Sequence, residues 1–321
     1  MPAEIHDWKH MTGAAIDALP RDRTVVLVTS SPLEVHGPHL PTITDICEAE
    51  GITARVADKL TERHPELVFV RLPPLYVAAD VLPHVGSLKF RQSTIRRVFE
   101  DLGRSLCAQG FTNIWVGGFH GGPRHFTPIE SAARVVNRRH GGRMVSVFSL
   151  LMTFLTGGRT DLSELFAEVD GVSAEDLVGD SHGGCIETSL MLHLLGEHVD
   201  PVWKEVGPST VEAWLASNGQ PSLEFDGKPS LPQLARMFRA KLRYYEERTW
   251  SGHPALASPE LGAAFLDLLA DQGAAALSEV WAGSRALADT HSPVYKARPV
   301  FEWDWLSAAV ERLIGYRNQV W

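Results

Sequence analysis

Residues of metal-ligand type are concentrated in the segment LEVHGPHLPTITD, which spans residues 33–45. Glu34 and His36 are two residues apart, a spacing that directs both side chains to the same side of an extended backbone, and His39 and Asp45 follow. One glycine and two prolines within the segment exclude a regular helix and predict a loop. Because imidazole and carboxylate groups are common ligands of zinc, the segment predicts a metal site. A turn with a capping aspartate and exposed histidines is the alternative.

A second segment, WVGGFHGGPRHF at residues 115–126, places His120 between two pairs of glycines. Gly121 and Gly122 let the backbone come close to an ion or a substrate. The segment ends a predicted strand, so His120 could meet the loop at 33–45 along one edge of the sheet. A strand end that is rich in glycine is, by itself, also typical of an ordinary turn.

A third segment, GDSHGGCIETSLMLHLL at residues 179–195, combines Asp180 and His182 with Glu187 at the start of a predicted helix. A glutamate in the first helical turn can be explained by its interaction with the helix dipole alone. Together with the other two segments, however, it completes a set of nitrogen and oxygen ligands that suits Zn²⁺, Mn²⁺ or iron. Five candidate ligands suit two ions better than one, and they are Glu34, His36, Asp45, His120 and Glu187.

Two divalent ions predict hydrolysis of an amide bond, because they polarise a carbonyl group and generate metal-bound hydroxide near neutral pH. Asp45 is the natural carboxylate to bridge them. His182 is the candidate for passing a proton to the departing nitrogen, since an imidazole titrates near the working pH, and Asp180 would orient it. The candidate substrate-binding residues are His39, Gly121 and Gly122.

Alternating strand-like and helix-like patterns predict how these segments are positioned. β-Branched and aromatic runs predict strands at 24–30, 67–75, 113–119 and 143–151. Amphipathic patterns predict helices at 46–63, 93–109, 128–139, 233–247 and 259–287. Strands separated by helices in this way indicate an α/β fold with a mostly parallel sheet.

The sequence as a whole predicts one domain over residues 1–321. This domain has an irregular elaboration at about 200–250 and a helical, Trp-rich C-terminal extension. We expect Trp303, Trp305 and Trp321 to pack on the core or on a neighbouring subunit rather than to form a substrate wall.

Composition excludes several classes of protein. The formal net charge is −9, and no long cluster of basic residues predicts nucleic-acid binding, so a small neutral or cationic substrate is the expected partner. No apolar run reaches the roughly 18 residues of a membrane span, which predicts a soluble, cytoplasmic protein without a membrane partner. The three cysteines, Cys47, Cys107 and Cys185, lack the C-x-x-C spacing of a structural zinc site.

Other catalytic patterns are missing from the sequence. It contains no G-x-S-x-G motif of a serine hydrolase, no Walker A motif and no G-x-G-x-x-G motif. Cys185 precedes a predicted helix, where a cysteine more often fills space than acts as a nucleophile.

Several motifs together resemble the creatininase family. EVHGPHLPTITD is similar to the family signature E-x-H-G-P-H-L-P-x-x-T-D, GFHGGP to N-G-H-G-G-N, and DSHGGCIETS to D-x-H-A-G-x-x-E-T-S. LPHVGSLKF and SGHPALASPELG are similar to the family's F-P-G-T-L-S and G-D-P-x-x-A-x-x-x-G stretches. The matches follow the family order from residue 30 to about 265.

The resemblance implies a three-layer α/β/α sandwich, a two-metal site, hydrolysis of a non-peptide C–N amide bond, and a homo-oligomer, often a hexamer. Carried over position by position, it implies Glu34, His36, Asp45 and His120 as metal ligands, a further glutamate, and His182 as the proton-handling residue.

Two departures suggest a member other than creatininase itself. Creatininases carry a ligand glutamate two residues after the histidine equivalent to His120, and this chain has Gly122 there, so the fifth ligand is Glu187 or is missing. The chain also has no tryptophan between 116 and 202, whereas creatininases place tryptophans over their substrate. The expected substrate is a small cyclic amide or a formamide. A deformylase, a peptide-trimming hydrolase, a one-ion site and a non-catalytic metal-binding assembly protein are the alternatives.

Overall fold

A five-stranded, fully parallel sheet forms the centre of the structure, with the strand order β1-β3-β2-β4-β5. The computed structural model describes residues 4–156, 166, 169–223, 230–316 and 320. The strands are β1 Ile5–Asp7, β2 Thr24–Thr29, β3 Val68–Arg71, β4 Asn113–Gly117 and β5 Arg143–Ser146. The parallel pairing confirms the predicted α/β fold.

Helices cover both faces of this sheet. The longer ones are α2 Thr44–Arg63, α3 Gln92–Ala108, α4 Pro123–Arg139, α5 Val147–Thr156, α6 Cys185–Leu195, α8 Leu231–Glu247, α9 Pro259–Ala282 and α11 Asp304–Ile314. The shorter ones are α1 Gly13–Asp17, α7 Val211–Ser217 and α10 Arg298–Glu302.

The central strand β2 explains the three layers. All six of its residues are buried, so its β-branched run packs on both sides. Val25 and Leu27 belong to a core cluster with α2, α5, α6 and α9, whereas Val26 and Val28 belong to a second cluster with α3 and α4. Because alternate residues of a strand face opposite sides, the sheet lies between two helical layers, as predicted.

Close packing of two helices fixes the position of α6, which carries Glu187. Gly262 of α9 lies so near α6 that an added Cβ would approach the Ser189 carbonyl oxygen to 1.9 Å. Only glycine permits this crossing, so α9 holds α6 against the rest of the helical layer.

Several predicted elements differ in their bounds from the observed ones, and one observed strand was not predicted. The predicted strand at 143–151 ends at Ser146, where α5 begins, because the Ser146 hydroxyl accepts a hydrogen bond from the Ser149 backbone N–H and so ends the strand with a helix-initiating turn. Helix α4 begins at Pro123 rather than at 128, since proline is well suited to the first helical position. Strand β3 is shorter than predicted, and β1, an edge strand of three residues, was too short to produce a pattern.

The C-terminal extension is fastened to α3 and α4 by polar contacts. The Glu130 carboxylate accepts hydrogen bonds from the backbone N–H and the hydroxyl of Ser292, and the Gln92 side chain donates to the Ser307 hydroxyl. Trp303 and Trp305 are 50% and 66% exposed and stack on each other. The expectation that they pack on the core of their own chain is therefore wrong. Trp321 lies outside the described residues, and packing on a neighbouring subunit stays a prediction.

Among the helices of the described ranges, none is both long enough and apolar enough to cross a membrane.

Glu130 should make the stability of the fold depend on pH. Burial raises the pKa of its carboxyl to about 7, although its hydrogen bonds to Ser292 oppose the shift. Between the ordinary value of 4.5 and about 7, the folded protein holds a proton that the unfolded chain has released, so stability falls as pH rises through this window. We expect Glu130→Gln to be more stable than the wild type at pH 8, by on the order of 3 kcal/mol, and nearly equal to it at pH 4.5.

Urea unfolding of both proteins at the two pH values measures this difference. Every other titrating group is shared by the two proteins, so its contribution cancels. An equal difference at both pH values would show that Glu130 does not titrate in this range.

Candidate metal centre

Loops and helix starts at the carboxyl ends of β2 and β4 bring the candidate ligands together. Glu34 and His36 lie in the loop after β2, Asp45 in the first turn of α2, and His120 in the loop after β4. The two strands are neighbours in the sheet, and ligand sites of open α/β folds lie at this edge. Helix α2 begins at Thr44, so Asp45 is a helical residue rather than part of the predicted loop.

Backbone hydrogen bonds fix the conformation of the loop after β2. The Glu34 N–H donates to the Thr42 carbonyl oxygen at 2.9 Å, which closes the loop onto the start of α2. Gly37 has a φ of +66°, a conformation that favours glycine, and its N–H donates to the Thr249 carbonyl oxygen. These contacts place the side chain of Glu34 and the ring of His36 next to Asp45.

The first group of ligands consists of Glu34, Asp45 and His120. The Nδ1 atom of His120 lies 3.1 Å from Oε2 of Glu34 and 3.3 Å from Oδ1 of Asp45. The Nε2 atom of His120 donates to the Ala79 carbonyl oxygen at 3.0 Å, which leaves Nδ1 as the atom that can bind a metal. One atom from each residue can converge on a single ion.

A second group forms around His36. Its Nε2 atom lies 3.3 Å from Oδ2 of Asp45 and 3.6 Å from Oε2 of Glu187, while its Nδ1 faces the Glu34 carbonyl oxygen at 3.1 Å. Nδ1 therefore donates to that carbonyl, and Nε2 is the available ligand atom. The two oxygens of Asp45 thus face two different histidines, His120 and His36.

Three atoms at this centre have no hydrogen-bond partner within the described part of the chain, namely Oε2 of Glu34, Nε2 of His36 and Oδ2 of Asp45. All three side chains are at most 1% exposed. Buried polar groups are almost always paired, so these atoms are suited to bind a cation. The set of imidazole nitrogens and carboxylate oxygens fits zinc or manganese.

The charges of the centre are strongly coupled. Burial acts against ionisation of Glu34, but His120 outweighs it and, with His182 and His36, lowers the pKa of that carboxyl to about 2. Burial likewise disfavours the charged form of His120, yet Glu34 and Asp45 raise its pKa well above the usual value. Without metal, a proton on His120 thus offsets the negative charge of Glu34 and Asp45, which a bound cation would otherwise offset. Metal binding should therefore release protons.

His182 lies directly beside this centre. Its ring stacks on His36, with ring centroids 4.0 Å apart, and its Nε2 donates to the Val35 carbonyl oxygen at 2.9 Å. One ring nitrogen of His182 can also share an ion with Glu34 and His36. The structure thus brings His182 to the ligands, as the sequence predicted.

Asp180 does not occupy the predicted position against His182. Its carboxylate instead accepts hydrogen bonds from the backbone N–H groups of Cys185 and Ile186 at the start of α6. The chain turns through Gly183, which has a φ of +57°, so the carboxylate folds back onto the helix N-terminus. Asp180 therefore shapes the loop that carries His182, and the Val35 carbonyl group orients the ring.

The candidate substrate-binding residues occupy different environments. His39 is buried, and its Nε2 lies 2.8 Å from the hydroxyl oxygen of Thr188, the residue after Glu187. Burial lowers the pKa of its imidazole to about 4. Gly121 is exposed and has open space where a side chain would be, whereas Gly122 is half-buried. A substrate-binding role for these three residues stays a prediction.

The side chain of Asp80 explains why residue 122 is glycine. A Cβ added at Gly122 would lie 2.4 Å from the Cβ of Asp80 and 2.7 Å from Nε2 of His120, so no larger residue fits. Asp80 itself has a φ of +64°, and its carboxylate accepts hydrogen bonds from the backbone N–H and the guanidinium group of Arg124. Arg124 also donates to Glu311 of α11, which connects this position to the C-terminal extension.

The structure adds two residues that the sequence analysis missed. Glu48 is fully buried one turn after Asp45 on α2, a spacing of three that could have identified it. The Tyr245 ring meets the His182 ring edge-on, with centroids 5.8 Å apart, and its hydroxyl hydrogen-bonds the Ser181 hydroxyl. No sequence motif marks Tyr245, because it approaches from α8, far along the chain.

Comparison with known families and structures identifies the family and the fold of the chain. The family model for creatinine amidohydrolase matches residues 9–277 of the chain. No curated protein matches the chain.

Solved structures share the fold at low sequence identity. A structure named "Creatininase Mn" is 19% identical, with a TM-score of 0.56, and the match covers 86% of this chain and 98% of that one. A putative creatinine amidohydrolase from Bacteroides fragilis NCTC 9343 is 19% identical, with a TM-score of 0.57 and coverage of 86% and 96%. A mutant creatininase of "Zn-Zn type" is also 19% identical, with a TM-score of 0.55 and coverage of 86% and 98%.

Proposed function

The chain belongs to the creatinine amidohydrolase (creatininase) family of metal-dependent amidohydrolases, and from this premise we propose that it binds two divalent ions bridged by Asp45. We propose further that it cleaves the C–N amide bond of a small cyclic amide or formamide-type substrate. Zinc and manganese are the proposed metals, because both suit the mixed imidazole and carboxylate ligands.

The orientation of Asp45 is the observation that supports two ions. Its Oδ1 faces His120 and its Oδ2 faces His36, each at 3.3 Å. A carboxylate that serves one ion would direct a single oxygen, or both, toward one group of ligands. With Glu34 beside His120 and Glu187 beside His36, each end of Asp45 has one histidine and one further carboxylate.

Such a pair of ions, when bound, would activate water and polarise the carbonyl group of the substrate. The chain's own groups would keep the ligands in place. The Leu82 N–H donates to Oε1 of Glu34, and the Ala79 carbonyl group fixes the His120 ring. Second contacts of this kind orient metal ligands and commonly tune metal affinity.

His182 is the proposed residue for moving a proton to the departing nitrogen. Its Nε2 is fixed by the Val35 carbonyl group, so Nδ1 is the atom that can exchange a proton with a bound substrate. Stacking on His36 keeps the ring next to the ligands. His182 is itself largely buried, with 9% of its surface exposed.

The burial of the centre supports a small substrate. The side chains of the candidate ligands are at most 13% exposed, and glycines rather than larger residues follow His120. A folded protein substrate could not reach a carbonyl group into such a site, whereas a small amide could.

Glu187→Gln tests the second ion. We expect the wild-type protein, purified without added metal, to contain about two equivalents of metal per chain and the variant to contain about one. Glutamine keeps the size of the side chain and the hydrogen bond to the Gly183 N–H but loses the negative charge beside His36. Elemental analysis of both proteins measures the ratio.

Glu197→Gln, an exposed position just after α6, is the matched control and should retain two equivalents. One equivalent in the wild type, unchanged in Glu187→Gln, would indicate a one-ion site. The absence of metal in the wild type, with no uptake of Zn²⁺ or Mn²⁺, would contradict the proposed function as a whole.

A further inference from the structure

A cleft rich in arginine lies between α4, α3 and the C-terminal extension. Its volume is about 410 Å³, which is within the range of small-molecule sites. One carboxylate, that of Glu302, lines the cleft together with five guanidinium groups. These groups belong to Arg96, Arg134, Arg138, Arg139 and Arg298. The lining is therefore strongly positive, although the chain as a whole has a formal net charge of −9.

Three of these arginines have no partner in their own chain. Within the ranges that the structure describes, Arg134, Arg138 and Arg139 form no ion pair and no side-chain hydrogen bond. Each guanidinium group thus keeps five N–H donors for another molecule. Arg134 and Arg138 are four residues apart on α4, so the two like charges lie on one side of the helix and repel each other.

The other two arginines are already fixed in position. The Nε of Arg96 donates to Glu100 at 2.7 Å, and its guanidinium group lies 3.6 Å from Glu302, which is buried. Arg298 lies over the Tyr295 ring, 4.6 Å from the ring centroid, and donates to the carbonyl oxygen of the same residue at 3.3 Å. Donors held in this way lose less conformational freedom when a ligand binds.

The alternative to a binding site is an ordinary charged helix end that faces water. Arg138 and Arg139 occupy the last turn of α4, where cations interact favourably with the helix dipole. This explanation does not extend to Arg134, which is one turn earlier and half-buried, or to Arg96 and Arg298. The latter two come from α3 and α10, so three separate elements direct positive charge into one cleft.

We propose that this cleft binds a small anion with two adjacent phosphate groups. A guanidinium group binds phosphate oxygens through paired N–H donors, and several such groups can surround one pyrophosphate. A nucleoside diphosphate and free pyrophosphate share this chemistry. Trp303 lines the same cleft and is 50% exposed, so its indole ring offers a surface on which the base of a nucleotide would stack.

The proposed anion site is separate from the candidate metal centre. His120 and Gly122 precede the first residue of α4, Pro123, whereas the arginines belong to the other end of the helix. At 1.5 Å of rise per residue, residues 134–139 lie roughly 16–24 Å along the helix axis from Pro123. The inference therefore goes beyond the proposed function and does not depend on it.

Calorimetric titration of the purified protein with pyrophosphate and with adenosine diphosphate (ADP) tests the proposal. We expect both probes to bind, and the double variant Arg134→Gln, Arg138→Gln to weaken both by on the order of tenfold or more, because charge-assisted hydrogen bonds are lost. Since neither side chain has a partner within the described ranges, the variant should unfold at the same temperature as the wild type.

The two probes distinguish the two sources of the phosphate groups. Tighter binding of ADP than of pyrophosphate, with the difference removed by Trp303→Leu, would identify a nucleotide site. Equal binding of the two probes would identify a site for pyrophosphate itself.

The double variant Arg63→Gln, Arg104→Gln is the matched control. Both arginines are exposed, on α2 and α3, and both lie outside the cleft, so the net charge changes equally. This protein should bind both probes as the wild type does. Because the probes also chelate divalent ions, Asp45→Asn is the second control, and it should leave their binding unchanged.

Three results would overturn the inference. One is that neither probe binds the wild type. Another is that binding persists unchanged in Arg134→Gln, Arg138→Gln but is lost in Asp45→Asn, which would assign it to the metal centre. The third is a change in oligomeric state of the arginine variant in size-exclusion chromatography, because a second copy of the chain would then occupy the cleft.

Discussion

Asp45→Asn is expected to lower the affinity for both ions and to reduce turnover by about a thousandfold or more. Asparagine has nearly the same shape, but it replaces one carboxylate oxygen by an amide nitrogen that cannot bind a cation. Since Oδ1 faces His120 and Oδ2 faces His36, one substitution affects both groups of ligands. A substitution of His120 or Glu187 would affect mainly one group.

Metal content per chain is the primary measurement, and hydrolysis of small cyclic amides and formamides is the second. Glu62→Gln, at an exposed position on the same helix, is the control and should retain both ions. If Asp45→Asn kept two equivalents of metal, the bridging role would be refuted. If it lost the metal and kept full turnover, the reaction would not depend on the ions.

Arg124→Met is expected to destabilise the fold by about 3–5 kcal/mol. The guanidinium group is buried and donates to both Asp80 and Glu311, so methionine would leave two carboxylates without their main countercharge. Lys89, whose Nζ lies 3.3 Å from Glu311, would compensate only one of them. The lost stability corresponds to a decrease of roughly 5–15 °C in the unfolding temperature.

Thermal unfolding of the metal-free protein tests this effect. Arg97→Met, an exposed position on α3, should change the unfolding temperature little. Adding Glu311→Gln to Arg124→Met should recover part of the loss, because it removes one of the unpaired charges. A single variant as stable as the wild type would show that the cluster contributes nothing to the fold.

Much of the fold follows from local patterns. The run at 24–30 is mostly β-branched, a composition typical of a strand buried on both faces, so β2 and the layers around it could be predicted. The run at 143–151 could not be divided correctly from hydrophobicity alone. A short apolar stretch is compatible with a strand or a buried helix, and the hydroxyl of Ser146 decides where one becomes the other.

The candidate site shows the same limit. Glu34, His36, Asp45 and His120 come together as expected, because their segments leave neighbouring parallel strands. The predicted contact between Asp180 and His182 depended on the backbone conformation at Gly183 and Gly184. The spacing of residues in the sequence does not determine that conformation.

No sequence motif predicts that Glu48 and Tyr245 lie beside the site. Glu48 is marked only by its position on the buried face of α2. Tyr245 reaches His182 because α8 returns to the site after more than 60 further residues. Long-range packing of this kind has no signature in one sequence.

The contact between Gly122 and Asp80 limits which residues position 122 of this chain could acquire. A glutamate at 122 has no room while Asp80 is present, and Asp80 is bound to Arg124, which is bound in turn to Glu311 near the end of the chain. Any evolutionary or laboratory path to that glutamate must therefore pass through joint changes in three distant segments. The effects of substitutions at these positions are therefore expected to be non-additive.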